Sequence, residues 1–166
     1  FLAGPDPGDG TRPCTVVRRI AAPGETLPPT ATGCYRITLL PDETRFRWTL
    51  EVRNPNRGRA PFDLSFSSGE RVQEVVAPGP YDAAKGHTRV DLPPGDSTLV
   101  VTGTLAGSEF RPPVAAALSY LLLESHPLLR AAARTSAKRV SPQETGMPRE
   151  FRGGQAYLLG KADAFS

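Results

Sequence analysis

Between residues 44 and 70 the chain reads TRFRWTLEVRNPNRGRAPFDLSFSSGE. Phe46, Trp48, Leu50 and Val52 take every second position, with Arg45, Arg47, Thr49, Glu51 and Arg53 between them. Successive side chains of a strand point to opposite faces, so a period of two predicts a strand with one face in the core and one in water. The same pattern returns along the chain. Tyr35, Ile37 and Leu39 alternate with Arg36 and Thr38, and Phe62, Leu64 and Phe66 alternate with Asp63, Ser65 and Ser67. Shorter apolar runs at 14–20, 71–76, 88–92 and 98–105 are separated by turn chemistry such as PDET, NPNRGR, SSGE and PPGDS. Short strands at regular spacing with Gly- and Pro-rich turns predict an antiparallel β-sandwich. Trp48 is expected in its core, between Phe46 and Leu50 and met by Phe62, Leu64 or Phe66 from the next strand.

After Leu105 the character changes. The stretch PPVAAALSYLLLESHPLLRAAARTSAKRV is rich in Ala and Leu, and its propensity points to a helical segment within 114–139. Ser125 and Pro127 would then stand at a helix start. A sandwich still short of its last strands would absorb the same runs as strands, and both readings stay open. Residues 1–13 read as a Pro/Gly-rich N-terminal arm and 14–140 as the sandwich domain. Residues 141–166 read as an extended C-terminal extension in which QAYLL forms a final short strand.

Composition agrees with a β-protein: 18 prolines and 16 glycines in 166 residues suit many turns. Net charge is +3, too small to argue for nucleic acid. Arginine outnumbers lysine 17 to 3, which a GC-rich genome explains. Arg45, Arg47 and Arg53 share the wet side of one strand, and Arg36 joins them from a neighbour. They form either a solvated face or a site for an acidic protein partner, with Thr49 and Glu51 interrupting the positive stripe. Cys14 and Cys34 each open a strand-like run and have no metal-ligand spacing. They are read as one disulfide, which places the chain in a periplasm or outside the cell; two buried thiols are the alternative. There is no initiator Met, so the chain is read as processed or excerpted, behind a signal peptide or membrane anchor. The longest apolar run, 114–124, is half the length of a membrane span.

Chemistry is sparse. Any Ser-His-Asp triad must use His87 or His126, and neither sits in a nucleophile motif. His87 reads as an exposed residue before a strand and His126 as a turn or capping residue. Asp42, Glu43 and Glu70 lie in turns, where acids are ordinary, and Met147 lies in a loop with nothing spaced to complete a metal site. No cofactor is expected, and the chain reads as non-enzymatic.

Residues 46–76 carry a strand, an Asn54-Pro55 turn, a strand ending in Phe66, Ser68 and Gly69, and a further strand. This resembles the core of immunoglobulin-like domains related to the BsuPI proteinase inhibitor. The tryptophan-rich segment of those domains is replaced here by APGPYDAAKGH. The resemblance implies an immunoglobulin-like form of the sandwich and, as one alternative, a soluble inhibitor-like binding module. The favoured expectation is an exported accessory or structural subunit of an envelope or membrane-bound complex. Its partners would be other protein subunits, and its extended ends would lie on neighbours.

Overall fold

A computed structural model describes residues 26–67, 69–84, 86–107, 118–143 and 154–159. They contain ten strands and, among the described residues, no helix. The strands are β1 (Thr30–Leu39), β2 (Thr44–Asn54), β3 (Ala60–Ser65), β4 (Glu70–Val76), β5 (Tyr81–Ala84), β6 (His87–Leu92), β7 (Gly95–Leu105), β8 (Leu118–Ser125), β9 (Lys138–Val140) and β10 (Gln155–Leu159). The N-terminal arm at 1–13 and the strand expected at 14–20 lie outside the described residues.

Seven strands form one open sheet in the order β4-β7-β2-β1-β8-β10-β9, and three form a second in the order β3-β6-β5. The inner face of the large sheet packs on the small one. Trp48, Leu50, Leu99, Val101 and Tyr35 meet Phe62, Leu64, Val90 and Leu92 in one apolar cluster. Trp48 is fully buried and stacks on Phe66 at 4.9 Å between ring centroids, with Tyr35 edge-on at 5.3 Å and Phe46 tilted at 5.6 Å. Such ring pairs add to the stabilisation from buried area alone.

Pairing register carries this core across the sheet. Val75, Val101, Trp48, Tyr35, Leu121 and Tyr157 are successive partners on β4, β7, β2, β1, β8 and β10. A slip of one residue in any pair would turn that strand's core residues to the other face. Gly103 on β7 lets neighbouring strands approach closely. A Cβ there would run into the Phe46 ring and the carbonyl oxygen of Arg71.

The loop after β2 ties the two sheets together. Asn54 is buried, and its amide nitrogen lies 2.9 Å from the carbonyl oxygen of Gly58, 3.1 Å from that of Leu92 and 3.2 Å from that of Pro93. Its Oδ1 accepts hydrogen bonds from the backbone and side-chain amides of Asn56. The end of β2 in one sheet is thereby fastened to the end of β6 in the other.

Two expectations are corrected. The helical segment within 114–139 is not formed over its described part: residues 118–125 are β8, a turn follows at 127–128, and 138–140 are β9. Ser125 ends a strand instead of capping a helix, and its hydroxyl donates to the Leu129 carbonyl at 3.1 Å. The sheet is also not wholly antiparallel, because β8 runs parallel to β1. One cause underlies both. Leu121 and Leu123 face the main core, while Leu122 is buried on the opposite face with Ala156, beside Cys34, Tyr120 and Val140. A strand buried on both faces is apolar throughout, so it loses the alternation that marks strands with one wet face. Within the C-terminal extension, β10 lies between β8 and β9, and the large sheet therefore reaches beyond residue 140.

Truncating Trp48 to Ala is expected to cost about 3 to 5 kcal/mol, as other large-to-small core substitutions do. Urea denaturation would measure this, and a loss below about 1 kcal/mol would contradict the packing described.

Candidate functional site

The four arginines singled out in the sequence share the outer face of the large sheet, opposite Trp48. Arg36 and Arg47 are direct cross-strand partners. Arg45, Arg47 and Arg53 are exposed, while Arg36 is partly covered. Local carboxylates answer three of the charges. Arg36 lies 3.4 Å from Glu124, Arg53 lies 3.7 Å from Asp96, and the Arg45 Nε donates to Glu43 at 2.6 Å. A face on which most cations already have carboxylate partners within the chain has the electrostatics of a solvated surface. Cys34 sits on this same face of β1, half-buried against Leu122 and Ala156. In the reduced chain, burial pushes the Cys34 thiol up to about 11, against the pull of Arg36. Its expected partner, Cys14, lies outside the described residues.

The histidines are held by their surroundings. His126 lies in the turn after β8. Its backbone N–H donates to Leu39 at 2.9 Å, and its Nδ1 accepts the Leu128 N–H at 3.3 Å. His87 opens β6, with Nε2 3.3 Å from Asp63 on an open sheet face. Ser65 is the cross-strand partner of His87, so a serine, a histidine and an aspartate share that face. All three lie on its solvent side, and both members of the His87–Asp63 pair are around half exposed.

The concave feature of interest lies where the two sheets end. A groove of about 590 Å³ runs between β4, at the edge of the large sheet, and β5, at the edge of the small one. Phe66, Val72, Val75, Tyr81 and Thr88 give it walls, and Glu70, Gln73 and Glu74 give it polar groups. Tyr81 and Ala83 pair in register with Val90 and Thr88, which are buried. Paired residues of an antiparallel ladder lie on the same face. Tyr81 and Ala83 therefore point inward like their partners, yet Tyr81 is 51% exposed and Ala83 is exposed as well. The small sheet overhangs the large one, and its last strand has nothing beneath it among the described residues.

Glu70 lines this groove and is only 9% exposed. The turn from β3 to β4 sets its position. Its Oε2 accepts the Ser67 backbone N–H at 2.5 Å, and its own N–H donates to the Ser67 carbonyl at 3.0 Å. Its Oε1 and the Ser67 hydroxyl are buried without a hydrogen-bond partner among the described residues. Burial drives the carboxyl up to about 7, and the Ser67 bonds only partly offset this. Sequence reasoning passed over Glu70 as an ordinary turn acid. The pattern that could have revealed it is Ser-x-x-Glu at 67–70, in which a carboxylate reaches back three residues to a backbone N–H. Here the pattern closes a turn into a strand.

Among the described residues, no group of three or more His, Cys, Asp or Glu is placed to hold a metal, and no helix is long and apolar enough to cross a membrane.

No protein-family model matches the chain, and no curated protein matches it. Solved structures of similar shape include an M1 zinc metallopeptidase from Deinococcus radiodurans, at TM-score 0.49 and 15% identity over 82% of this chain and 41% of that one. Another is native yeast LTA4 hydrolase, at TM-score 0.48 and 12% identity over 82% of this chain and 28% of that one. The chain spans less than half the length of either. Similarity at this level says nothing of activity.

Two outcomes are expected. Thiol labelling of the denatured, unreduced protein should find no free thiol; two labelled cysteines would remove the disulfide and with it the argument for export. Glu70 should also make stability depend on pH. Its carboxyl rises from an ordinary 4.5 to about 7 on folding, so the folded chain holds the proton more tightly. The Glu70 contribution to stability should therefore be fully present below about pH 4.5 and be lost as pH rises through about 7. Glu70→Gln should match the parent at low pH and exceed it above pH 7. Parallel pH profiles for the two proteins would contradict the buried carboxylate.

Proposed function

We propose that this chain is a non-enzymatic, exported β-sandwich that serves as an accessory subunit of a larger envelope or membrane-bound assembly, docking a partner chain in the groove between β4 and β5. The observation that carries the reading is the overhang: Tyr81 and Ala83 face inward on β5 but stay uncovered. A sheet face that ends exposed beside a partly apolar groove suits a partner's surface. The immunoglobulin-like form belongs to this proposal. Strands β1, β2, β7 and β4 face β3, β6 and β5, four on three, as in sandwiches of that kind. Strands β8, β10 and β9 extend the larger sheet. The paired arginines support a solvated outer face, which assigns docking to the groove.

The alternative is a soluble proteinase-inhibitor-like module, resting on residues 46–76. The structural work of Asn54 in joining the sheets gives that segment a reason to look as it does without inhibition.

The two separate in cell fractionation of the full chain. The accessory reading expects co-sedimentation with membranes and release by mild detergent as an assembly larger than one chain. Tyr81→Asp should weaken that association by more than about 2 kcal/mol, as loss of a central aromatic contact does. The Arg45→Gln, Arg47→Gln double variant should retain it and change stability by no more than about 0.5 kcal/mol per site. A monomer that stays soluble and inhibits proteases in stoichiometric amounts would overturn the reading.

A further inference from the structure

We infer that the occupant of the β4–β5 groove is an extended peptide segment, paired along the open edge of β4 and carrying a lysine or arginine against Glu70. This deepens the docking reading above and rests on it.

Three observations converge. The first is the edge. Among the described residues β4 pairs with β7 alone, and none of them forms a strand along its other side. Edge strands are commonly blunted by lysine, proline or a bulge. In β4 the register shifts between Val72 and Glu74, but pairing resumes in regular order from Glu74 to Val76, opposite Thr102, Val101 and Val100. The segment contains no lysine or proline, and Val76 at its end is 54% exposed.

The second is the space. A strand added to β4 would lie about 4.8 Å further out. That position falls in the groove whose opposite wall is formed by Tyr81 and Ala83. The uncovered inward face of β5 would then gain the layer it lacks, and the added strand's inward side chains would meet Val72, Val75 and Tyr81. Strand addition to an open edge supplies affinity from main-chain bonds and selectivity from alternate side chains.

The third is charge. Among the described residues that line the groove, Glu70 and Glu74 are carboxylates and none is a lysine or arginine. Glu70 offers a buried oxygen without a partner, and the nearby Ser67 hydroxyl is unsatisfied too. An ammonium carries three donors and a guanidinium five, so one cationic side chain would supply what both oxygens lack. A buried unpaired carboxylate is costly until a cation reaches it, which makes this position selective for a base and against a neutral or acidic residue.

The test uses the full chain and synthetic heptapeptides of alternating valine and threonine. One inward position in turn is set to lysine, and matched peptides carry glutamine or glutamate there. Fluorescence anisotropy should show the best lysine peptide binding about tenfold or more tightly than its glutamine match, with glutamate weaker still, because charge-assisted bonds exceed neutral ones. Hydrogen exchange should report new protection on amides of residues 70–76. Glu70→Gln should abolish the lysine preference and leave binding of the glutamine peptide unchanged, and Tyr81→Asp should weaken all the peptides. The inference is overturned if no peptide binds, if protection appears on β9 or β3 instead, or if the lysine preference survives in Glu70→Gln. If peptides fail while Tyr81→Asp still detaches the chain from its assembly, the groove docks a partner of another shape and only the strand inference falls. If peptides bind as expected while Tyr81→Asp leaves membrane association intact, the strand site stands and the accessory reading falls.

Discussion

The fold depends on the register of the row that runs through Trp48. From Val75 to Tyr157, six strands place an apolar side chain at the same level of one sheet. Trp48, at the third position, is buried completely between neighbours on its own sheet and Phe66 from the small-sheet side. Because side chains alternate, this row fixes the facing of every other residue in those strands. It sends Arg45, Arg47 and Arg53 to solvent, and it turns Glu70, five residues before Val75 and on the far side of the bulge, into the interior. The indole N–H has no partner among the described residues, so packing and ring contacts hold Trp48 in place.

Charge is distributed unevenly over this frame. The outer face of the large sheet carries arginines that meet Glu43, Asp96 and Glu124 within the chain. Among the described residues, the groove at the sheet edges is lined by the carboxylates Glu70 and Glu74 and by no lysine or arginine. The buried Glu70 oxygen without a hydrogen-bond partner lies in this partly apolar, concave place. Solvent screens exposed pairs strongly and buried groups weakly, so Glu70 carries more energetic weight than the more numerous surface arginines. The same geometry accounts for the exposure of Tyr81: among the described residues the large sheet stops at β4, and the small sheet does not stop with it.

Several features of the fold were legible because they are local. Alternation over 46–52 and 62–66 marks β2 and β3, and Trp48 lies in the core where that alternation puts it. The placement of Arg45, Arg47 and Arg53 on one face follows from the same period of two. The short strand β5 was not legible, since four residues between turns carry too little pattern to register. Strand β8 was readable only as a choice between helix and strand. Its leucines face apolar surroundings on both sides, and nothing within the segment records that β1 runs parallel beside it and β10 antiparallel on its other flank.

The sequence by itself determined that the chain is mainly β, which residues of β2 and β3 face inward, and that Arg45, Arg47 and Arg53 share one face opposite Trp48. These are consequences of side-chain alternation and turn chemistry, which act over a few neighbouring residues. Only the tertiary structure decided the order of the strands, that β8 is a strand, and that Glu70 is buried in a groove that Tyr81 also lines. Glu70 and Tyr81 are eleven residues apart in sequence and lie on strands of different sheets, so that they line one groove depends on how those sheets pack, a long-range outcome that no short window of residues encodes.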